Sequence, residues 1–381
     1  MKGKSVLKVL NNLREAGNGT NLPAKYPKAI QFPVNDICNS KCQMCQIWQQ
    51  KKDNEITVTE LDGVAKDPLF RKVESVGLNG GEPTLRNDLE ELGEVLCQRL
   101  PNLRTITVIT NAVNPKKSFK KIEELIGRCA NYGVHVSVQI SLDGVGEVHD
   151  RVRGKDGNFE SVCKLIDELK NDLGVNDLTL GCTVISENVD HLLDLVDFSI
   201  AYNTKIKFRS GVPHKRLYQE LGGDFTLDFQ QRYEFSVFLA NVIKHYEVSP
   251  FQKEFYQSLI GQLVEDKGRQ VGCLWQYKGV TLDSRGNLSY CAVESPNIGS
   301  ALSQSAEKLY FENADVLQNI REEKCDGCMH DYVGLPNRKK LLRIYASYLS
   351  IKVLSNSDGV KKSLKKTPFY NLLKHFRYNL H

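Results

Sequence analysis

Seven of the eleven cysteines fall into two groups whose spacing suits metal ligation. The first reads Cys38-Asn39-Ser40-Lys41-Cys42-Gln43-Met44-Cys45 and lies in a loop just after a β-rich run. Three thiolates on one loop can wrap a cube of iron and sulfide that needs four ligands, which leaves one iron open. Open positions are where catalytic metal sites take a substrate or cofactor; closed ones are structural or carry electrons. A zinc knuckle lacking its fourth ligand is the alternative that spacing leaves standing. The second group is Cys273, Cys291, Cys325 and Cys328, with twelve residues between Cys273 and Gly286 and four between Gly286 and Cys291. Four thiolates can close a site. Zinc ribbons usually bring two tight knuckles, whereas here seventeen residues separate the first pair. His330 is read as a loop histidine that could replace one cysteine, and Cys97, Cys129, Cys163 and Cys182, set among Leu, Val and Ile, as small core residues.

The elements that must position these groups show in the periodicity. Six β-rich runs, at 29–36, 73–80, 103–110, 135–142, 177–185 and 204–210, alternate with helical stretches such as 88–100 and 159–170. Strands alternating with helices imply a parallel sheet. Val136, Val138, Ile140 and Leu142 alternate with His135, Ser137, Gln139 and Ser141, and Ile206 and Phe208 with Lys205, Lys207 and Arg209. Gln31, Asn35, Ser75, Asn79, Thr179 and Thr183 are read onto the same polar face. A parallel sheet covered by helices on both sides would be apolar throughout. A complete eight-stranded barrel would fill its lumen with branched apolar residues. The expected fold is therefore α/β, a partial (β/α)6 barrel with a polar lumen, followed by a small C-terminal iron-sulfur domain and a basic helical tail.

Cys-x3-Cys-x2-Cys after the first strand of an α/β unit resembles the radical S-adenosylmethionine superfamily. The resemblance continues through Gly80-Gly81-Glu82-Pro83 after the second run, Thr110-Asn111 after the third, and Ser141-Leu142-Asp143-Gly144 and His149 to Gly154 around the fourth. It implies that Cys38, Cys42 and Cys45 hold a [4Fe-4S] cluster whose open iron binds S-adenosylmethionine. Gly80, Gly81, Glu82, Pro83, Thr110, Asn111, Ser141, Asp143, Arg153 and Arg209 would then border that cofactor, with Glu82 at the amino group of its methionine moiety. The implied chemistry is reductive cleavage of the sulfonium to a 5′-deoxyadenosyl radical that takes a hydrogen atom from substrate. The arrangement Cys273, Gly286, Cys291 resembles the auxiliary-cluster domains called SPASM and, in shortened form, twitch. That implies a second [4Fe-4S] cluster on Cys273, Cys291, Cys325 and Cys328.

Composition bounds the rest. The formal net charge of +5 conceals a tail, residues 336–381, with eleven Lys or Arg against Asp358 alone, so the remainder stands at −5. A mildly acidic body argues against a nucleic-acid enzyme. The N-terminus holds no apolar run of signal-peptide length, so a cytoplasmic protein is expected, with peripheral contact at a membrane through the tail. The expected divisions are an N-terminal extension at 1–28, the barrel at 29–225, a helical connector at 226–270, the auxiliary domain at 271–335 and the tail at 336–381. A polar lumen with Lys207 and Arg209 points to a redox-coupled C–H modification, such as dehydrogenation, of a sugar-like or nucleotide- or lipid-linked substrate. A peptide- or protein-modifying maturase is the alternative, although only 37 residues precede Cys38 and a leader-binding domain would have to come from a partner. An iron-sulfur sensor or electron carrier is the non-enzymatic alternative. A flavodoxin- or ferredoxin-type protein is the expected electron donor.

Overall fold

In the computed structural model, residues 23–51, 54–213 and 215–355 are described, together with 9, 12–14 and 16. The cationic and aromatic residues expected to contact a membrane, Lys361 to Tyr378, lie outside them. The described chain divides into two compact units, one formed by 24–231 with 275–324 and the other by 232–274 with 325–355 and the described residues before 24.

In the first unit all six expected strands are present: β1 (Ala29–Pro33), β2 (Ser75–Asn79), β3 (Thr105–Thr110), β4 (His135–Ser141), β5 (Leu178–Val184) and β6 (Lys205–Ser210). They are parallel and lie side by side in chain order, as a singly wound partial barrel requires. Helices fill the crossovers: α1 (Val58–Ala65), α2 (Leu89–Arg99), α3 (Pro115–Ala130), α4 (Glu147–Arg153), α5 (Asn158–Asn171) and α6 (Leu192–Ala201). Their starts follow local chemistry. Thr57 and Glu60 close a reciprocal capping box on α1, and Asn114 caps α3 ahead of Pro115 at its first position.

One face of the sheet is apolar and buried, with Phe32, Leu78, Val108, Val138, Leu180 and Phe208 in successive strands. The other face is polar, as the alternation predicts. Gln31 pairs with Gly77, and a Cβ at Gly77 would come within 3.2 Å of Gln31 Oε1. Gly181 makes the same room for Gln139 Nε2, at 2.7 Å from the site of its absent Cβ. Thr107 Oγ1 and Ser137 Oγ are 2.7 Å apart across β3 and β4.

The region expected to form a separate auxiliary domain from residue 271 is divided differently. Residues 279–300 extend the barrel sheet: β7 (Gly279–Leu282) runs parallel to β1, and β8 (Asn287–Ser289) and β9 (Gly299–Ser300) continue antiparallel from it. The hairpin turn is set by Gly286, whose φ of +77° favours glycine, and by Asp283 Oδ1, which accepts from the N–H groups of Arg285 and Asn287. Helices α7 (Ala306–Glu312) and α8 (Ala314–Glu323) follow. Asp67 accepts hydrogen bonds from Ser305 Oγ, Ala306 N and Glu307 N at 2.9 Å each, tying the start of α7 to the barrel. The segment has a core of its own, in which Tyr290 and Tyr310 are fully buried. Apolar burial along β7 and β8, which periodicity in so short a run does not reveal, sets this boundary.

The second unit contains most of α9 (Phe229–Asn241), which continues into a π-helical turn at Val242–Tyr246, with α10 (Pro250–Val264) and α11 (Arg338–Ser355). The stretch read as a polar connector buries Phe235, Leu239, Phe255, Tyr256 and Leu259. Lys340 pairs with Glu254 at 2.5 Å, and Leu341 and Tyr345 are buried, so the first half of the basic tail is a packed helix. Among the described residues no helix is long and apolar enough to cross a membrane.

Candidate active site at the cysteine loop

The loop after β1 is fastened from both sides. On one side the Gly80 to Pro83 turn lies against it: Gly81 N donates to Asn35 O at 3.0 Å, Glu82 N to Ile37 O at 2.9 Å and Asn35 Nδ2 to Glu82 O at 2.8 Å. A Cβ at Gly81 would lie 1.9 Å from Ile37 O, so only glycine permits this approach. On the other side α4 ends at Arg153 and Gly154. Lys41 N donates to Arg153 O, Gln43 N to Val152 O and Ser40 Oγ to Arg153 O, at 3.0, 3.0 and 2.9 Å. Gly154, at φ +59°, again leaves no room for a side chain, since its Cβ would lie 2.4 Å from Lys41 O. Beneath the loop, Cys42 and Met44 pack with Val152, Ile185 and Phe225, and Cys45 lies against that cluster.

Of the residues expected at the cofactor, Gly81, Glu82, Asn111 and Arg153 make contacts with this loop. Glu82 is buried, and its carboxylate accepts from Thr84 N and Oγ1, Thr110 Oγ1 and Asn111 N at 2.7–3.1 Å. Burial raises its pKa and these hydrogen bonds oppose the rise. Its visible role is to lock the turn after β2 to the end of β3. Asn111 Nδ2 reaches Cys38 Sγ at 3.4 Å and Asn39 Oδ1 at 2.9 Å. Asp143 and Arg153 form a buried ion pair, with Oδ2 and Nε 2.6 Å apart but without the in-line geometry of a hydrogen bond. Burial alone would lower the Arg153 pKa; Asp143, Cys42 and Cys38 beside it hold it above its ordinary value. Arg153 Nη1 lies 3.7 Å from Cys42 Sγ. Ser141 is buried at the end of β4, and Arg209 Nε donates to Thr183 Oγ1 at 3.0 Å.

Three buried polar residues complete this framework, two of which, Asn158 and Asn188, the sequence does not single out. Asn188 Nδ2 donates to Asp143 O and Thr183 O while its Oδ1 accepts from Ile185 N. Asn158 Nδ2 donates to Asn111 O. His149 Nδ1 accepts from Asp143 N at 3.0 Å, and burial, with Arg153 nearby, pushes its pKa down to about 3. The imidazole is therefore neutral, with its proton on Nε2. Neither Asn158 nor Asn188 is marked by spacing or composition, whereas His149 opens the motif stretch that ends at Gly154.

Cys38 and Cys45 are pushed up to about 12 and about 11, first by burial and next by Cys42, with Glu82 adding to the rise at Cys38. Three thiols thus crowd one shielded loop, where their thiolates would repel unless a cation bound them. Donors from Asn111 and Arg153 already point at two of the sulfurs. That chemistry fits an iron-sulfur cluster with three protein ligands. Among the described residues no group of three or more His, Cys, Asp or Glu is closed to metal-binding geometry, so the thiols are neighbours rather than a finished cage.

Of the second cysteine group, Cys273, Cys325 and Cys328 belong to the second unit and Cys291 to the first. Arg269 organises the 325–332 segment: Arg269 N donates to Asp326 O, and its guanidinium to the carbonyls of Cys328, His330 and Tyr332. Gly334 N donates to Gly272 O and Gly272 N to Leu335 O, joining the chain beside Cys273 to the end of that segment. Cys291 follows β8, and its sulfur accepts from Glu294 N at 3.3 Å. Cys97, Cys129 and Cys182 are buried and Cys163 is half-buried, in keeping with packing roles.

The family model described as "Radical SAM superfamily" matches residues 32–199. Mycofactocin maturase MftC of Mycolicibacterium smegmatis is 27% identical over 183 residues, covering 48% of this chain and 44% of that protein. The antilisterial bacteriocin subtilosin biosynthesis protein AlbA of Bacillus subtilis is 22% identical over 350 residues, covering 87% of this chain and 71% of AlbA. GTP 3′,8-cyclase of Pasteurella multocida is 24% identical over 287 residues, covering 66% of this chain and 79% of the cyclase. Thus the chain spans under half the length of MftC and about three quarters of the other two. Among solved structures, Streptococcus suis SuiB bound to precursor peptide SuiA superimposes with a TM-score of 0.56 at 15% identity, over 86% of this chain and 80% of SuiB.

Proposed function

Residues 32–199 are a radical SAM domain, of a family whose cofactors are a [4Fe-4S] cluster and S-adenosylmethionine, and from that premise we propose that this protein is a peptide- or protein-modifying maturase. The observation that carries the reading is the extent of the AlbA match. A contiguous match over 87% of the chain has to include Cys273 to Cys328, so the likeness reaches beyond the barrel into the second cysteine group. The cyclase match covers less of the chain. This support puts the peptide reading ahead of the sugar- or nucleotide-type substrate expected from the polar lumen. That lumen also suits a peptide, whose backbone offers a donor and an acceptor at every residue.

Cys38, Cys42 and Cys45 would hold the cluster, and when bound the cofactors supply a hydrogen-abstracting radical. The chain's own residues bind and shield. Asn111 and Arg153 direct hydrogen bonds at the sulfurs, the Asp143–Arg153 pair fixes that guanidinium, and Val152, Ile185 and Phe225 exclude water beneath the loop. The Gly80 to Pro83 turn, Thr110, Asn111, Ser141 and Arg209 would border S-adenosylmethionine. Cys273, Cys291, Cys325 and Cys328 are assigned to an auxiliary cluster on their spacing, with oxidoreductase-type chemistry as the corresponding reaction class. A flavodoxin- or ferredoxin-type donor would supply the electron. The basic residues after 355 would add peripheral membrane contact, each cation contributing roughly 1 kcal/mol at an anionic surface. Loss of low-salt liposome pelleting on deletion of 356–381 is the expected result.

The substrate assignment is tested with anaerobically reconstituted protein, dithionite and S-adenosylmethionine, offered candidate precursor peptides in one series and sugar nucleotides in another. Peptide-stimulated 5′-deoxyadenosine with a mass change in the peptide is expected. Stimulation by sugar nucleotides alone would overturn the maturase reading.

A further inference from the structure

Two arginines lie on segments hydrogen-bonded to the cysteine loop, and of the two Arg153 alone has an ion-pair partner among the described residues. Arg153 is paired with Asp143 at 2.6 Å. Arg216 lies in the short turn at 215–217 after β6, whose next residue, Leu217, accepts at its carbonyl oxygen from Gln46 N at 2.9 Å, immediately beyond Cys45. The same connection passes Gly222, packed on the Gln46 side chain, and reaches Phe225, which packs with Cys42, Met44 and Cys45. Arg216 is half-buried, yet its Nη2 is shielded from solvent and, among the described residues, has no hydrogen-bond partner. Shielding a guanidinium without a counter-charge is unfavourable, so the site is complete only when an anion faces it.

We propose that Arg216 is a positioning residue whose counter-charge is the iron-sulfur cluster held by Cys38, Cys42 and Cys45, and that it raises the reduction potential of that cluster. The inference rests on the cluster assignment and not on the identity of the substrate. Three thiolates around a [4Fe-4S]2+ core sum to one negative charge, and one electron from a low-potential donor makes it two, with no proton transferred. A fixed cation stabilises the doubly charged state more, and does so strongly where water is excluded. Arginine suits the task because it stays charged when buried.

The test uses anaerobically reconstituted full-length protein, wild type, Arg216→Gln and Arg216→Lys, titrated with dithionite and followed by EPR. The signal that changes on adding S-adenosylmethionine reports the cluster in question, and iron content and cofactor affinity are measured alongside. The midpoint of Arg216→Gln should move to a more negative potential, with a several-fold smaller reduced fraction at fixed solution potential. Arg216→Lys should stay near wild type, and cofactor affinity should be unchanged. An unshifted midpoint in Arg216→Gln at full iron content overturns the proposal. So does weakened cofactor binding at an unshifted midpoint, which would make Arg216 an anchor for the ligand's carboxylate. If Arg216→Gln fails to retain iron, retention by Arg216→Lys supports the role of charge, and loss in both overturns it. Neither readout involves a substrate, so failure here leaves the peptide reading standing.

Discussion

The loop carrying Cys38, Cys42 and Cys45 is held by main-chain hydrogen bonds to segments on both sides, whereas the segment carrying Cys325 and Cys328 is bound by two side chains, Gln262 and, through three carbonyls, Arg269. The first arrangement requires that two glycines be absent of side chains: Gly81 against Ile37 and Gly154 against Lys41. The second requires that one guanidinium be present, because three carbonyls share it. Close backbone approach is broken by adding an atom; a side-chain staple is broken by removing one. The two cysteine groups should therefore respond to opposite kinds of substitution.

The largest effect is expected where the two groups differ in duty. Changing Cys38, Cys42 and Cys45 together to Ala should abolish reductive cleavage of S-adenosylmethionine and remove about four of about eight irons in reconstituted protein, by the stoichiometry of two four-iron clusters. Iron analysis and 5′-deoxyadenosine assays check this. Unaltered iron would erase the distinction between the groups.

Next comes Gly81→Ala. The added methyl meets a carbonyl oxygen that cannot swing away, so a loss of about 3 kcal/mol is expected from overpacking, read by urea denaturation. Iron should be lost from the first group and kept by the second.

A smaller effect should follow Arg269→Ala, which removes the donor shared by the carbonyls of Cys328, His330 and Tyr332 while Gln262 Nε2 still reaches Cys328 O, at a cost of about 2 kcal/mol. The iron pattern should reverse, with the first group retained. If Arg269→Ala kept all its iron, the side chain would not be the staple inferred here.

At neutral pH the smallest effect concerns His149, which braces the framework of the first group. Its folded pKa of about 3 lies below the ordinary 6.5. Between these values the unfolded chain binds a proton that the native imidazole refuses, so its contribution is intact above pH 6.5 and is lost as pH falls toward 3. The slope is about 1.4 kcal/mol per pH unit well below 6.5. His149→Gln should flatten the dependence of unfolding free energy on pH between about 6 and 4; an unchanged slope would mean that the imidazole is already protonated in the native state.

The barrel was legible because its signals are local. Alternation along each run set strand and face, so all six strands and the polar side of the sheet follow from residues such as Val136, Gln139, Ile206 and Lys207. The motif residues at the ends of β2, β3 and β4 surround the cysteine loop, as parallel α/β folds dictate. The hairpin of β7 and β8 was legible only as a glycine between two cysteines. Its pairing with β1 joins residues some 250 positions apart, Ala29 with Gly279, and nothing in a four-residue run announces its partner.

By itself, therefore, the sequence determined the order and facing of the barrel strands, the identity of the cysteine groups and the stretches that meet at the first of them, since period, composition and short spacing are properties of neighbouring residues. Only the tertiary structure decided that Glu82 is satisfied by four donors of the chain, that Gly81 and Gly154 are spacers against the cysteine loop, that Asn158 and Asn188 brace it, and that Arg153 has an ion-pair partner while Arg216 Nη2 has no hydrogen-bond partner among the described residues. Those facts depend on which distant groups share a shielded volume. Burial turns each unmatched polar atom into a demand for a partner, and that demand arises only once the chain has folded.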